Sequence, residues 1–540
     1  MDHTLVRPEE GNQDVGRSAA PKSAPHDHLA GSGWAVQTSF RSREAGENRL
    51  NWSVLFRNFA LNQRSLQVQI RQMIVAAIEE RRLAANARMP SSRELALSLG
   101  VARNTVVLAY RQLVDEGLLE SRERSGYFVA DLDFDDPSHA THAEMRARSP
   151  LGPDWSSRFG LTPSTQRNIV KKIDWLRYPF PFLYGQFDPS LFPTNDWRES
   201  ARGALSVLEI QNWARDLIDG DDPELIDQLR VHVLPRAGIF APPEEIIVTV
   251  GAQQALFMLA QLFLRKETRI GIENPGYADA RNIFGMISDR VVPLAIDADG
   301  LVASHEVAAC EYIYVTPAHQ CPTTVNMPLR RRERLLELAR QNDVVIIEDG
   351  YESELSAESH GTPALRSLDG DGRVVYIGSF SKILAPGLRL GYVVAPEPVA
   401  RELRALRRLM LRHPPSNNQR AAALFLGLGH YKSHLRRVTH ALKERSVLVE
   451  AALERHLPRW RRLRGVGASS YWLEGPPTLD CVALAREAEK RGVLIEPGDV
   501  FFMGDAPPRN FLRLGFASIA RERIGAGIAA LGQAAQALGH

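Results

Sequence analysis

A multidomain fold is predicted: an N-terminal α+β unit of helix-turn-helix layout with a β-hairpin wing, then a larger α/β unit built on buried parallel strands. Three observations predict it. Apolar residues recur at helical spacing between positions 66 and 78 and again over 102–116, with a glycine turn between them. Further on, the apolar segments become short unbroken runs rich in β-branched residues, at 246–250, 344–347 and 374–377, which read as strands buried on both faces. A chain of 540 residues, 44% hydrophobic, is far above single-domain size and can bury several cores.

In order along the chain, Leu66, Ile70, Met73, Ile74, Ala77 and Ile78 form the apolar stripe of a first helix. In Pro90-Ser91-Ser92-Arg93-Glu94-Leu95, either serine can cap a second helix, helped by Glu94 in its first turn. Leu99-Gly100-Val101 supplies the turn, and a third helix opens on Arg103, Asn104 and Thr105. This is the arrangement that lays a helix in the major groove. Residues 121–129 then read as a hairpin wing tipped by Arg122 and Arg124, with Gly126 at the return.

The α/β part carries the chemistry. The run 246–250 leads into Gly251-Ala252-Gln253-Gln254, a strand followed by a helix start whose free amides suit a phosphate. Glu273-Asn274-Pro275-Gly276-Tyr277 places an aromatic after a turn, where it can stack on a planar ring. The run 343–349 ends in Asp349, followed by Tyr351, at the strand end where α/β sheets present ligand groups. In Gly378-Ser379-Phe380-Ser381-Lys382, followed by Arg389, a primary amine stands among two hydroxyls and a guanidinium. Only eight of the 66 basic residues are lysines, and arginine cannot replace them in imine chemistry. Together these are the parts of a pyridoxal-phosphate site: Lys382 for the aldehyde, Asp349 for the pyridine nitrogen, Tyr351 for the ring oxygen.

In order and spacing, these segments resemble the fold-type I aminotransferases over roughly residues 180–540. The resemblance implies an α/β large domain and a smaller α+β C-terminal domain. It also implies pyridoxal 5'-phosphate on Lys382, stacked by Tyr277, with its phosphate on Ala252, Gln253, Ser379, Ser381 and Arg389. Arg513, in Phe511-Leu512-Arg513-Leu514-Gly515, matches the arginine that clamps a substrate's acid group, and a guanidinium fork suits a planar anion or a sulfonate. Residues 90–129 are similar to the winged helix-turn-helix of GntR-type regulators. By that similarity Arg103, Asn104 and Thr105 enter the major groove, while Ser92, Arg93, Arg122, Arg124 and Gly126 lie against the backbone or minor groove. The two joined resemble the MocR/GabR-like subgroup over residues 60–540.

That resemblance implies a cytoplasmic, homodimeric regulator. It binds operator DNA and senses an amino compound with an anionic group, which displaces Lys382 from the cofactor while Arg513 holds the acid. The implied boundaries are a disordered tail over 1–48, the reader domain over 49–130, a linker over 131–178, the large domain over 179–430 and the small domain over 431–540. The alternative is an active aminotransferase with an appended DNA-binding module. Two departures favour sensing over rapid turnover. Cys321-Pro322-Thr323-Thr324 stands where aminotransferases carry Asn-Pro-Thr-Gly, and Gly220-Asp221-Asp222-Pro223 lacks a tyrosine that reaches the partner's phosphate.

The charge balance, 66 basic against 64 acidic groups and a net +2, places DNA affinity in a local basic surface. Cys310, Cys321 and Cys481 show neither metal-ligand spacing nor a disulfide framework, which points to a reducing compartment and no bound metal. No apolar run has the ~20 residues of a membrane helix, and the N-terminus lacks the basic start of a signal peptide. Arg401, Arg404, Arg407, Arg408 and Arg412 interleave with leucines and are expected to form a solvated helix face.

Overall fold

The computed structural model describes residues 52, 55–56, 65–80, 82–123, 125–131, 153–186, 188–355, 362–463 and 468–540. The tail over 1–48, most of the expected linker and the wing-tip Arg124 lie outside them. The chain divides into two compact units, one ending at Pro153 and one beginning at Asp154.

In the first unit, helices α1 (Leu66–Glu79), α2 (Ser92–Leu99) and α3 (Arg103–Asp115) precede the strands β1 (Leu119–Arg122) and β2 (Gly126–Val129). The strands pair antiparallel, from Leu119 against Val129 to Arg122 against Gly126. Ile70, Ile74, Leu95, Val106, Ala109 and Leu113 are fully buried between the helices, so the predicted stripe of α1 is the face that packs. Ser91, not Ser92, caps α2: its hydroxyl accepts from the Glu94 amide while Glu94 accepts from the Ser91 amide, a reciprocal capping box. Gly100 closes α2 in the left-handed conformation at φ 67°, which frees the chain to turn into α3.

The second unit is built on an eight-stranded sheet among the described residues. Its strands are β3 (Ile246–Thr249), β4 (Arg269–Asn274), β5 (Arg290–Asp297), β6 (Gly300–Leu301), β7 (Tyr312–Val315), β8 (Val345–Asp349), β9 (Val374–Ser379) and β10 (Gly391–Val394). The spatial order is β3-β10-β9-β8-β7-β4-β5-β6. β9, β8, β7, β4 and β5 run parallel, whereas β10 is antiparallel to both of its neighbours. The carboxyl ends of β3, β8 and β9 therefore share one edge with the start of β10. A second, four-stranded antiparallel sheet contains β11 (Arg461–Leu463), β12 (Ser470–Glu474), β13 (Glu496–Pro497) and β14 (Phe511–Gly515). It aligns Glu496 with Arg513 on adjacent strands.

Two expectations need correction. The stretch 154–178, read as linker, belongs to the second unit. The arginines of α4, the helix Glu397–Leu411, are not all solvated. Arg407 is fully buried, donating to the carbonyls of Val248, Asp219 and Gly220 and to the Asp221 carboxylate. Arg404 binds the Glu244 and Ile246 carbonyls. The carbonyls of Asp219 and Gly220 and the Asp221 carboxylate converge on Arg407, and an arginine fork satisfies several acceptors at once.

Candidate cofactor and DNA-reading sites

Ten positions singled out from sequence, Ala252, Gln253, Tyr277, Asp349, Tyr351, Ser379, Ser381, Lys382, Arg389 and Arg513, line a single cavity of ≈ 340 Å³. Each arrives there by topology. β8 ends on Asp349 and β9 on Ser379; the chain leaving β9 carries Ser381 and Lys382 before returning through Arg389 into β10. β3 runs into the helix Gly251–Phe263, whose first-turn amides carry no partner within the helix. Gly251 sits at φ 73°, and a Cβ there would stand 2.9 Å from Arg389 Nη2, so the residue must be glycine for the guanidinium to lie across the helix start. Arg389 adopts a left-handed φ of 48°, rare for a side-chain-bearing residue and a mark of functional positions.

The electrostatics match a site prepared for chemistry. Burial pushes the Asp349 carboxyl up to about 6, against the hydrogen bonds it accepts from the Tyr314 hydroxyl at 2.8 Å and the Tyr351 amide at 3.0 Å. Burial, with the neighbouring Lys171 ammonium, brings the Lys382 amine down to about 8. Arg513 lies 2.9 Å from Glu496 and 4.0 Å above the Tyr184 ring. The Tyr277 hydroxyl donates to Gln253 at 3.2 Å and to Asp279 at 3.1 Å. The Cys321 thiol, pushed up to about 12 chiefly by burial, sits 3.9 Å from Arg513 Nη1.

Sequence reasoning missed Tyr314, Tyr184, Asp279 and Lys171, which line the same cavity. Tyr314 had a signal: it occupies a buried strand beside the one ending in Asp349. Lys171 had almost none, because its partners Tyr184 and Glu496 come from elsewhere in the chain.

On the reader unit, Arg93, Arg103 and Asn104 are exposed and Ser92 and Thr105 half-buried at the starts of α2 and α3. Arg103 Nε donates to Ser92 Oγ at 3.3 Å, which ties the two helix starts together. Arg122 packs its guanidinium 4.5 Å over the Phe128 ring and donates to Asn86 at 2.6 Å, with Gly126 exposed across the hairpin. Arg124 lies outside the described residues.

Comparison with known proteins gives two family matches. Residues 192–531 match aminotransferase class I and II, and residues 66–129 match the bacterial regulatory proteins of the gntR family. The HTH-type transcriptional regulator TauR of Rhodobacter capsulatus is 42% identical over 87% of this chain and 97% of its own length. This chain belongs to the MocR-type regulators of the GntR family. The family's rhizopine catabolism regulatory protein MocR of Rhizobium meliloti, so described as probable, is 31% identical over 87% of this chain and 94% of its own. Among solved structures, the α-aminoadipate aminotransferase LysN of Thermus thermophilus covers 72% of this chain and 99% of its own, with 29% identity and a TM-score of 0.65. Its structure holds N-(5'-phosphopyridoxyl)-L-leucine. The gntR match spans the helix-turn-helix and wing, and a domain of that family implies DNA binding. Among the described residues no helix is long and apolar enough to cross a membrane, and no cluster could hold a metal ion.

Proposed function

We propose that this protein is a pyridoxal-phosphate-dependent transcriptional regulator of the cytoplasm, acting as a homodimer, which binds operator DNA and senses an amino compound bearing an anionic group. The observation that carries the reading is the convergence of the Lys382 amine, the Asp349 carboxylate and the Ser379, Ser381 and Arg389 cradle on one cavity. These residues fit the cofactor. When bound, it supplies an aldehyde for a lysine amine and a pyridine ring able to take up electron density. Asp349, fixed in place by the Tyr314 hydroxyl, would hold a proton at the ring nitrogen. Tyr351 would meet the ring oxygen and Tyr277 would stack on the ring. The free amides of Ala252 and Gln253, with the two serines and Arg389, bind the phosphate.

With the cofactor bound, an effector's amine would compete with the Lys382 amine for its aldehyde, and Arg513, on the same cavity, would bind the effector's acid group. This biases the reader only through a difference in affinity between two arrangements of the protein, typically ~1–3 kcal/mol. On the reader, Arg103, Asn104 and Thr105 contact base edges, while Ser92, Arg93, Arg122, Arg124 and Gly126 contact the backbone or minor groove.

Lys382→Ala tests the reading. The variant is expected to lose both the visible absorbance of the holoprotein and the response of DNA binding to amino compounds, with DNA binding itself retained. An unchanged spectrum overturns the cofactor assignment. One observation favours a second reading, an active aminotransferase: the 2-aminoadipate transaminase of Thermus thermophilus is 32% identical over 98% of its length. Multiple turnover of an amino donor and a keto acid, near the ~10 per second usual for enzymes, would establish it.

A further inference from the structure

The end of the cavity that faces Arg513 holds a charge arrangement that one arginine does not explain. Residues 166–172 form a strap held down on both sides of Lys171. Gln166 donates to the Asn282 carbonyl, Asn282 Nδ2 donates to Arg167 O at 3.0 Å and to Asn168 Oδ1 at 2.7 Å, and Lys172 pairs with Glu489 at 2.7 Å. Between these anchors Lys171 turns inward. Its ammonium donates to the Tyr184 carbonyl and lies 3.4 Å from Glu496 Oε1. Glu496 also accepts from Arg513 Nε at 2.9 Å, and both of those side chains are almost completely buried. The carboxylate thus bridges two cations.

Arg513 stacks against the faces of Tyr184 and Phe501 with its Nε committed to Glu496, and among the described residues its Nη pair meets nothing stronger than the Cys321 thiol. The buried Tyr184 hydroxyl has no hydrogen-bond partner among the described residues. Gly185, at φ 71°, has no side chain to fill the space: a Cβ there would stand 2.5 Å from Lys382 Nζ and 3.2 Å from Lys171 Nζ. The two lysine amines therefore face the same small volume. Asp279, the other carboxylate near Lys171, is already engaged by the Tyr277 hydroxyl at 3.1 Å.

We propose that Lys171 and Tyr184 complete the effector's acid-group site with Arg513, and that Glu496 is its built-in counter-ion, so that the site selects a primary amine bearing one monoanionic acid group. Lys171 and Arg513 share the Glu496 carboxylate, so each keeps donors free for an anion. An acid-free amine brings these cations nothing to bind, and a second acid group meets the charges of Glu496, Asp279 and Glu352. The fork of Arg513 takes two oxygens, and the Lys171 ammonium and Tyr184 hydroxyl serve the remaining acceptor positions. A carboxylate and a sulfonate both meet this description. The proposal rests on the effector-sensing reading above.

The test is calorimetric titration of the full-length protein, with and without added pyridoxal phosphate, using β-alanine, 2-aminoethanesulfonate, L-glutamate and propylamine. Calorimetry reads acid-group binding directly, while the visible spectrum, recorded in parallel on the wild type, reads the cofactor assignment separately. In the wild type the two monoanions are expected to bind more tightly than L-glutamate and propylamine, and their ranking tells carboxylate from sulfonate. Lys171→Gln is expected to weaken the preferred monoanion about 10-fold, the worth of one charge-assisted hydrogen bond, and to move propylamine by less than about 2-fold. Lys171→Arg should hold the monoanion within about 3-fold, because the charge is kept. Glu496→Gln removes the rival carboxylate and is expected to tighten monoanion binding. A purely packing role would weaken all four ligands alike in every variant. That outcome, weakening by Glu496→Gln, or an acid selectivity unchanged in Lys171→Gln overturns the assignment. Should Lys171→Gln fail to fold, the retained affinity expected for Lys171→Arg and the tightening expected for Glu496→Gln still decide it.

Discussion

The reader surface and the cofactor cavity use the same residue types to opposite ends. On the reader, Arg93 and Arg103 stand in solvent at helix starts and are held by little more than a hydroxyl. In the cavity, Arg513 and Asp349 are almost wholly buried, each fixed by a partner that sets its direction and its proton affinity. On the function proposed for the protein, the difference follows from the ligands. DNA brings a dense row of charge and its own counterions, so the protein need only present long cations that can reach it. A small zwitterion brings one amine and one acid, so the site must be desolvated and aligned beforehand for so few contacts to discriminate. The cost of that preparation is visible in the raised Asp349 and the lowered Lys382.

The contrast breaks first, and hardest, at Arg407. If burial with satisfied partners is what organises the second unit, Arg407→Met strips Asp221 and three carbonyls of their Arg407 donors in the interior, leaving Asp221 with Arg404 at 4.0 Å as its remaining cation. It should destabilise that unit by about 3–5 kcal/mol, whereas Arg401→Met, on an exposed position of the same helix, should change little. Urea unfolding of the two variants checks this, and equal losses would place Arg407 in the same class as the surface arginines. Next comes pH. Neutral lysine is the nucleophile toward an aldehyde, and Lys382 loses its proton near about 8, below its ordinary value. Cofactor uptake by apo-protein should therefore slow about 10-fold per pH unit below that point and level off above it. Stopped-flow absorbance measures the profile; a midpoint above pH 10 would mean that the amine titrates as if in water.

How much of the fold and the site is legible in the amino-acid sequence depends on where each residue's partners lie. Lys382, Asp349 and Arg389 can be read because they sit at the ends of strands that announce themselves as apolar runs, and an α/β sheet brings such ends to one edge. The helix-turn-helix is legible for a related reason: its capping box and left-handed glycine are local signals, complete within a few residues. Lys171 is not, since nothing in 154–178 reveals that Tyr184 and Glu496 will meet it. Arg407 is misread because amphipathic spacing reports which face of a helix is polar and is silent on whether that face meets water or a ring of carbonyls.

The smaller effects sharpen the reader side. Arg103→Ala removes an exposed cation from the start of α3, and a lost base contact is worth ~1–3 kcal/mol. Anisotropy titrations should show operator binding weakened accordingly, with the holoprotein spectrum intact; unaltered specific affinity would remove α3 from the major groove. Ser91→Ala is the mildest change. It deletes the hydroxyl that accepts from the Glu94 amide but leaves Glu94 able to reach back to the Ser91 amide, so half of the capping box survives. A cap is worth about 1 kcal/mol, and the loss falls on α2, whose start also carries the Ser92 hydroxyl that Arg103 uses. The expected result is a reader unit less stable by about that amount, with DNA affinity reduced less than by Arg103→Ala. A larger loss of affinity than of stability would show that α2 does more than position its neighbour, and that the exposed reader, like the buried cavity, depends on a second layer of fixed hydrogen bonds.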